Sequence, residues 1–193
     1  MRLLSITLVL LLSIAICSPQ IVIIAKKKSA VAATPWITSY TGGTFISSGT
    51  LVCANGMGTR FTVGATGITV YSLGRWRSSG NALSHTVKLV TTAGTDISGG
   101  SVSIDMSSGT VGAFKYVDLA SPVSLSASTS YFIVSSEAEA DDDYWDQNGS
   151  YTVTSAAAIS NAVASCASLS GGAYVLYNAT NGWGPVNFTY TLP

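Results

Sequence analysis

Period-two alternation of apolar and polar residues recurs along most of the chain. In RFTV, Phe61 and Val63 face one way while Arg60 and Thr62 face the other; in SVSIDM, Val102, Ile104 and Met106 oppose Ser101, Ser103 and Asp105. SYTVTS turns Tyr151 and Val153 inward, and VNFTYTL does the same with Val186, Phe188, Tyr190 and Leu192. Such segments read as half-buried strands. ITVYSL, HTVKLV, AFKYV and SYFIV are rich in β-branched and aromatic residues, and the turn clusters TTAGTD, SSGTVG and SASTS divide them. Strands at this spacing predict an all-β fold, an antiparallel β-sandwich or barrel. One segment has a different period. SAAAISNAVASCASLS places Ile159, Val163 and Cys166 at helical spacing, yet in so uniform a β pattern it is predicted to be a strand.

The N-terminus follows another rule. MRLLSITLVLLLSIAIC sets Arg2 before an apolar run that ends at Cys17, the form of a signal peptide. Ala15 with Cys17, or SAVAA at 29–33, offers a small-residue cleavage site. Read past the polar SPQ, the run reaches Ala25 and is long enough to span a membrane, with Lys26, Lys27 and Lys28 on the cytoplasmic side. The cleaved reading divides the chain into 1–33, a signal peptide and short linker, and 34–193, a single β-sandwich domain of a secreted, extracellular protein. Membrane contact then comes only through an uncleaved leader. Cleavage also removes Cys17, leaving Cys53 and Cys166, and an even count in an oxidising compartment predicts a disulfide between them.

Only 9% of the residues are charged, so the surface is covered by Ser, Thr, Gly and other short neutral residues. Beyond residue 33 the basic residues are Arg60, Arg75, Arg77, Lys88 and Lys115, five against all nine acids, a net charge of −4. A mildly acidic surface with no basic stripe excludes nucleic acid as a partner.

Catalytic chemistry has little to build on. The one histidine, His85, shares parity with Val87 and Leu89 in HTVKLV and is predicted to point into the core. That leaves no exposed imidazole for a Ser-His-Asp arrangement, and one His with two bridged Cys makes no zinc set. Glu137 and Glu139 lie on one wall of a strand, and Asp96, Asp105 and Asp118 are scattered on turns or outward positions, so a pair flanking a glycosidic bond is not indicated. The chain is expected not to be an enzyme.

GTRFTV, ITVYSLGRW, SGN, HTVKLV, GAFKY, LASPVSLSASTSYFIVSSE, DYWD and GPVNFTY occur in that order. The series resembles the bacterial extracellular modules of the domain of unknown function numbered 4082, over most of residues 50–193. The resemblance implies a jelly-roll or galactose-binding-like sandwich of the kind appended to secreted enzymes, adhesins and polysaccharide-handling proteins. It brings no catalytic residues with it.

EAEADDDYWDQNG, 137–149, holds six of the nine acids within ten positions and sets Tyr144 and Trp145 among them. Three readings stay open. It is a solvated loop whose charges keep a sheet edge from pairing. Or it is a calcium site with Asp141, Asp142 and Asp143 as ligands, although its spacing is not that of an EF-hand. Or it is a ligand edge, where Trp145 and Tyr144 offer flat faces to a sugar and Asp143 and Asp146 bond its hydroxyls. Trp76, flanked by Arg75 and Arg77 in LGRWRSSGN, is a second candidate platform. The function expected is a secreted, non-catalytic module that binds carbohydrate or a cell-surface glycan, with calcium as the candidate cofactor. The alternative is a structural or adhesive surface protein that engages proteins or self-assembles through its β-domain. Sequons stand at Asn148, Asn178 and Asn187, the last expected on an outward position that could accept a glycan in a eukaryotic source; in a bacterium they are accidental.

Overall fold

A computed structural model describes residues 32–41, 45–47, 55–137, 144–146, 149–165, 169, 173–177, 182–183 and 186–193. Within them the chain forms fourteen strands: β1 (Thr34–Pro35), β2 (Ile37–Thr41), β3 (Phe45–Ser47), β4 (Gly56–Val63), β5 (Ile68–Trp76), β6 (Ser84–Thr91), β7 (Asp96–Asp105), β8 (Phe114–Leu125), β9 (Ser130–Ser135), β10 (Tyr144–Asp146), β11 (Ser150–Val153), β12 (Ala157–Ser165), β13 (Tyr174–Tyr177) and β14 (Val186–Thr191). Among the described residues no helix is long and apolar enough to cross a membrane. Cys53, Cys166 and the leader lie outside the described residues.

The strands make an all-β antiparallel sandwich. One sheet has the order β13-β12-β4-β9-β6-β7 and the other β1-β14-β5-β8. The chain crosses between sheets at β4 to β5, β5 to β6, β7 to β8 and β8 to β9, so sequence neighbours meet across the core. Phe61, Val87, Leu89, Ile104 and Ile133 from the larger sheet pack on Val70, Leu73, Val123 and Phe188 from the smaller. These are the inward residues that alternation predicts.

Two edges close the sandwich. β7 lies along β8 on one side. On the other, the fully buried Trp36 enters between the sheets, stacked on Phe188 at 4.8 Å and 9° and donating its indole N–H to Ala157 O at 2.8 Å. Its backbone N–H continues the β1–β14 ladder to Phe188 O.

Among the described strands, alternation breaks at single residues in β5 and β12 as well as at Thr38 in β2. In β5, Val70 pairs with Tyr190 and Ser72 with Thr189, which leaves Tyr71 as an extra residue. In β12, Ile159 pairs with Phe61 and Asn161 with Arg60, which leaves Ser160 extra. Each bulge reverses the parity of the rest of its strand. After Ser160, Ala162 and Ala164 join the inward row of Thr59 and Met57. Val163 passes to the outer face, where it packs with Val90, Phe132 and Val134. The helical spacing of Ile159 and Val163 is therefore a strand with a bulge in it.

Two sequence expectations are corrected. Leu192 is not inward: it follows the last ladder pair of β14, Thr191 with Thr69, and is 54% exposed. Asn187 is opposite in parity to Phe188, as expected, but it is buried under β2 and is no glycan acceptor in the folded chain. Its Nδ2 donates to Ile37 O at 3.0 Å and to the Tyr116 hydroxyl at 2.7 Å, and its Oδ1 accepts from Ile37 N–H at 2.9 Å. The amide bridges the gap where β2 leaves β14.

Candidate functional site

The Tyr71 bulge decides the geometry of LGRW. It turns Leu73 and Arg75 into the core and sets Gly74 and Trp76 on the outer face of the smaller sheet. Gly74 pairs with Tyr116, whose ring lies so close that a Cβ at Gly74 would sit 2.5 Å from it. Trp76 pairs with Phe114.

Over this face runs a two-stranded ribbon, β2 paired with β11, Tyr40 opposite Tyr151. A separate pair, β3 with β10, sets Ile46 opposite Trp145 and Phe45 opposite Asp146. Both pairings have the same offset: six residues on from Tyr40 is Ile46, and six back from Tyr151 is Trp145.

The rings gather where the ribbon meets the end of β5. Trp76 meets Tyr40 edge-on at 4.5 Å and Phe114 edge-on at 5.2 Å. Tyr40 stacks on Tyr151 at 5.0 Å and 26°. Trp76, Tyr40, Phe114 and Tyr151 are all half-buried, so the cluster is packed on one side and open on the other. The 107–112 turn lies beside it, with Gly109 (φ 119°) and Gly112 (φ 79°) in the left-handed region that glycine tolerates. Two cations bind backbone there: Met106 O, just before the turn, accepts from Arg77 Nε at 2.8 Å, and Ser108 O, within it, accepts from Lys115 Nζ at 3.1 Å. Lys115 Nζ also donates to Asp105 O.

Arg75 is placed elsewhere. It is 0% exposed and forks onto Glu137, also 0% exposed, with Nη2 donating to both carboxylate oxygens at 2.9 and 2.8 Å and Nε to Oε1 at 3.1 Å. Nε also donates to Ser135 Oγ at 3.1 Å and Nη1 to Asn81 Oδ1 at 2.9 Å. His85 is inward, as its parity predicts. Its Nδ1 lies 2.7 Å from Ser136 O, which as a carbonyl accepts and so fixes the proton on that nitrogen, and 3.7 Å from Glu137 Oε2. This interior network holds Glu137, the first residue of the acidic stretch. Arg75 therefore anchors the start of that stretch through Glu137.

Of the other predicted site residues, Tyr144, Trp145 and Asp146 form β10, described here by its backbone pairing alone. Asp141, Asp142 and Asp143, the candidate calcium ligands, lie outside the described residues, as do Asn148 and Asn178. Among the described residues no group of three or more His, Cys, Asp or Glu side chains is placed to hold a metal. Tyr40, Phe114 and Tyr151 were not singled out as site residues in the sequence. Their signal was present: ITSY and SYTV are complementary strands, but only the pairing brings them beneath Trp76.

Two shallow depressions lie at the other end of β5, of about 160 and 190 Å³, both lined by Tyr190 and Leu192. They are smaller than small-molecule sites usually are, about 300 Å³ and upward, and are lined by no charged side chain.

A family model described as a domain of unknown function (DUF4082) matches residues 46–190, three quarters of the chain, and the chain belongs to that family. No curated protein and no solved structure matches it.

Proposed function

We propose, on the premise of membership in this family, that the chain is a secreted, non-catalytic module that binds carbohydrate at the aromatic rim around Trp76. The observation that carries the reading is the offset shared by the β2–β11 and β3–β10 pairings, which supports a position for Tyr144, Trp145 and Asp146 in line with the Tyr40–Tyr151 pair that packs on Trp76. Half-buried aromatic rings suit sugars because their faces match the apolar C–H surfaces of a pyranose, while hydroxyls at the ring edge need polar partners. Asp143 and Asp146 are the acceptors proposed for those hydroxyls. Arg75 contributes by anchoring Glu137, since its own donors are turned to the interior. The role proposed for the inward His85 is likewise structural, and this supports a module that binds without chemistry.

The test is a glycan-array screen of the protein with and without calcium, followed by titration of any hit against variants. Trp76→Ala and Trp145→Ala are each expected to weaken binding by at least about tenfold, the loss of one stacking platform of ~1.4 kcal/mol. Thermal melts of the same variants establish that the fold is kept. Binding that survives both substitutions in folded protein would refute the reading, as would an array with no hit in either condition.

A further inference from the structure

Strand connections come in two lengths, and each length belongs to one end of the sandwich. The Ile68 end of β5 carries the short ones: 64–67, 92–95 and 126–129 have four residues each and 154–156 three. The ladder pairs Ile68–Leu125, Thr62–Ser130, Ala157–Val63 and Thr91–Tyr131 bring the flanking strand ends together. Gly64 bonds both Ala156 and Ser128 there through its backbone. The Trp76 end carries 77–83, with seven residues, and 106–113, with eight. Connections of eight residues also leave β9 after Ser135 and β12 after Ser165 at this end, where those residues pair with Met57 and Gly56. The domain itself begins and ends at the Ile68 end: Thr34 pairs with Tyr190 and Thr191 with Thr69, and Ala32 and Leu192 line one depression. At about 3.3 Å per residue, β5 sets the two ends roughly 27 Å apart.

A connection of three or four residues does little more than turn the chain, whereas long connections on a rigid scaffold supply the surface that recognition uses. Leu83 and Val111, 45% and 52% exposed, stand on 77–83 and 106–113. Val111 adjoins Gly112, where a Cβ would lie 4.0 Å from the Trp76 ring. We infer that the Ile68 end is the attachment pole of this domain and the Trp76 end its recognition pole. A chain held through the segment before residue 32, or through Pro193, then presents the aromatic rim to a glycan on a different surface. That the partner is a glycan rests on the function proposed above; the direction of presentation rests on the topology alone. A glycan on the surface that holds the chain would have to reach past the length of the sandwich to meet Trp76.

The test compares labelling at the two poles with the purified chain free and attached. A histidine tag after Pro193 binds it to phosphatidylcholine vesicles doped with a nickel-chelating lipid. An azide-bearing phenylalanine replaces Val111 in one variant and the exposed Thr66, in the 64–67 turn, in another. Each azide is reacted with a cyclooctyne on a bulky polyethylene glycol, and the rate on vesicles is divided by the rate in solution. Attachment should leave the Val111 rate unchanged and slow the Thr66 rate at least about fivefold, since a tag of about six residues spans only ~14 Å and holds that end near the bilayer. Slowing at Val111 equal to that at Thr66 overturns the inference, and so does a Thr66 rate that attachment leaves unchanged. Melting curves establish that each variant is folded, and Leu83 takes the label at the same pole if the Val111 variant is not. No glycan enters this measurement, so an array without a hit would refute carbohydrate binding while the labelling rates still decide the two poles.

Discussion

Glu137→Ala leaves the Arg75 guanidinium buried without its counter-ion, and an uncompensated interior charge costs about 3–5 kcal/mol. Urea denaturation should show a loss of that size. The double variant Arg75→Met/Glu137→Leu should lose less than Glu137→Ala, because no charge then remains to be desolvated. A double variant at least as unstable as the single would mean that the surrounding network, through Asn81 and Ser135, matters more than the ion pair. Tyr116 supplies a pH signal. Burial pushes its hydroxyl up to about 12, partly offset by the Asn187 amide. The folded chain therefore holds this proton more tightly than the unfolded chain, where the group titrates near 10.0. Its contribution to stability is fully present below that value and falls as the pH rises toward 12. Tyr116→Phe should flatten this fall, read as wild type minus variant unfolding free energy across pH 8 to 11. Tyr174, raised to about 12 by burial and by the nearby Asp96, contributes a second fall that Tyr116→Phe leaves in place.

At the scale of elements, two extra residues set which side chains reach the core. Were Tyr71 an ordinary strand residue and not a bulge, unbroken alternation from Ile68 and Val70 would carry Trp76 inward and Arg75 outward. With it, Trp76 joins the aromatic rim and Arg75 meets Glu137. Ser160 acts in the same way on β12. Deleting Ser160 takes out the extra residue itself, so Asn161, Ala162, Val163 and Ala164 keep their partners on β4 and their faces. The change expected in urea denaturation is therefore small, under about 1 kcal/mol. A loss on the order of 3 kcal/mol would show that the bulge is needed for more than the parity of the strand.

At the scale of the whole molecule, the aromatic rim lies at one end of the smaller sheet, beneath the ribbon. Trp36 joins the two sheets next to the start of the ribbon, since Thr154 N–H, just after β11, donates to Trp36 O at 2.9 Å. The ribbon is thus seated on the core through its β2–β11 end, and the proposed binding surface rests on a rigid base.

The sequence by itself determined the all-β class, most of the strands and most of the inward residues, because the period of alternation is local and each strand displays its own. It also determined that His85 points inward, from its parity with Val87 and Leu89. The destinations of Arg75, Asn187 and Leu192 were decided only by the tertiary structure. For Arg75 the cause is the Tyr71 bulge, which exists only relative to the neighbouring strands, and with a side-chain period of two a one-residue slip exchanges the faces. For Asn187 it is β2 crossing above it, a contact between residues 150 positions apart. For Leu192 it is the end of a ladder whose other strand is Ile68–Trp76. The meeting of Tyr40, Trp76, Phe114 and Tyr151 has the same origin: four segments far apart in the chain each carry one ring, and strand pairing alone brings them together.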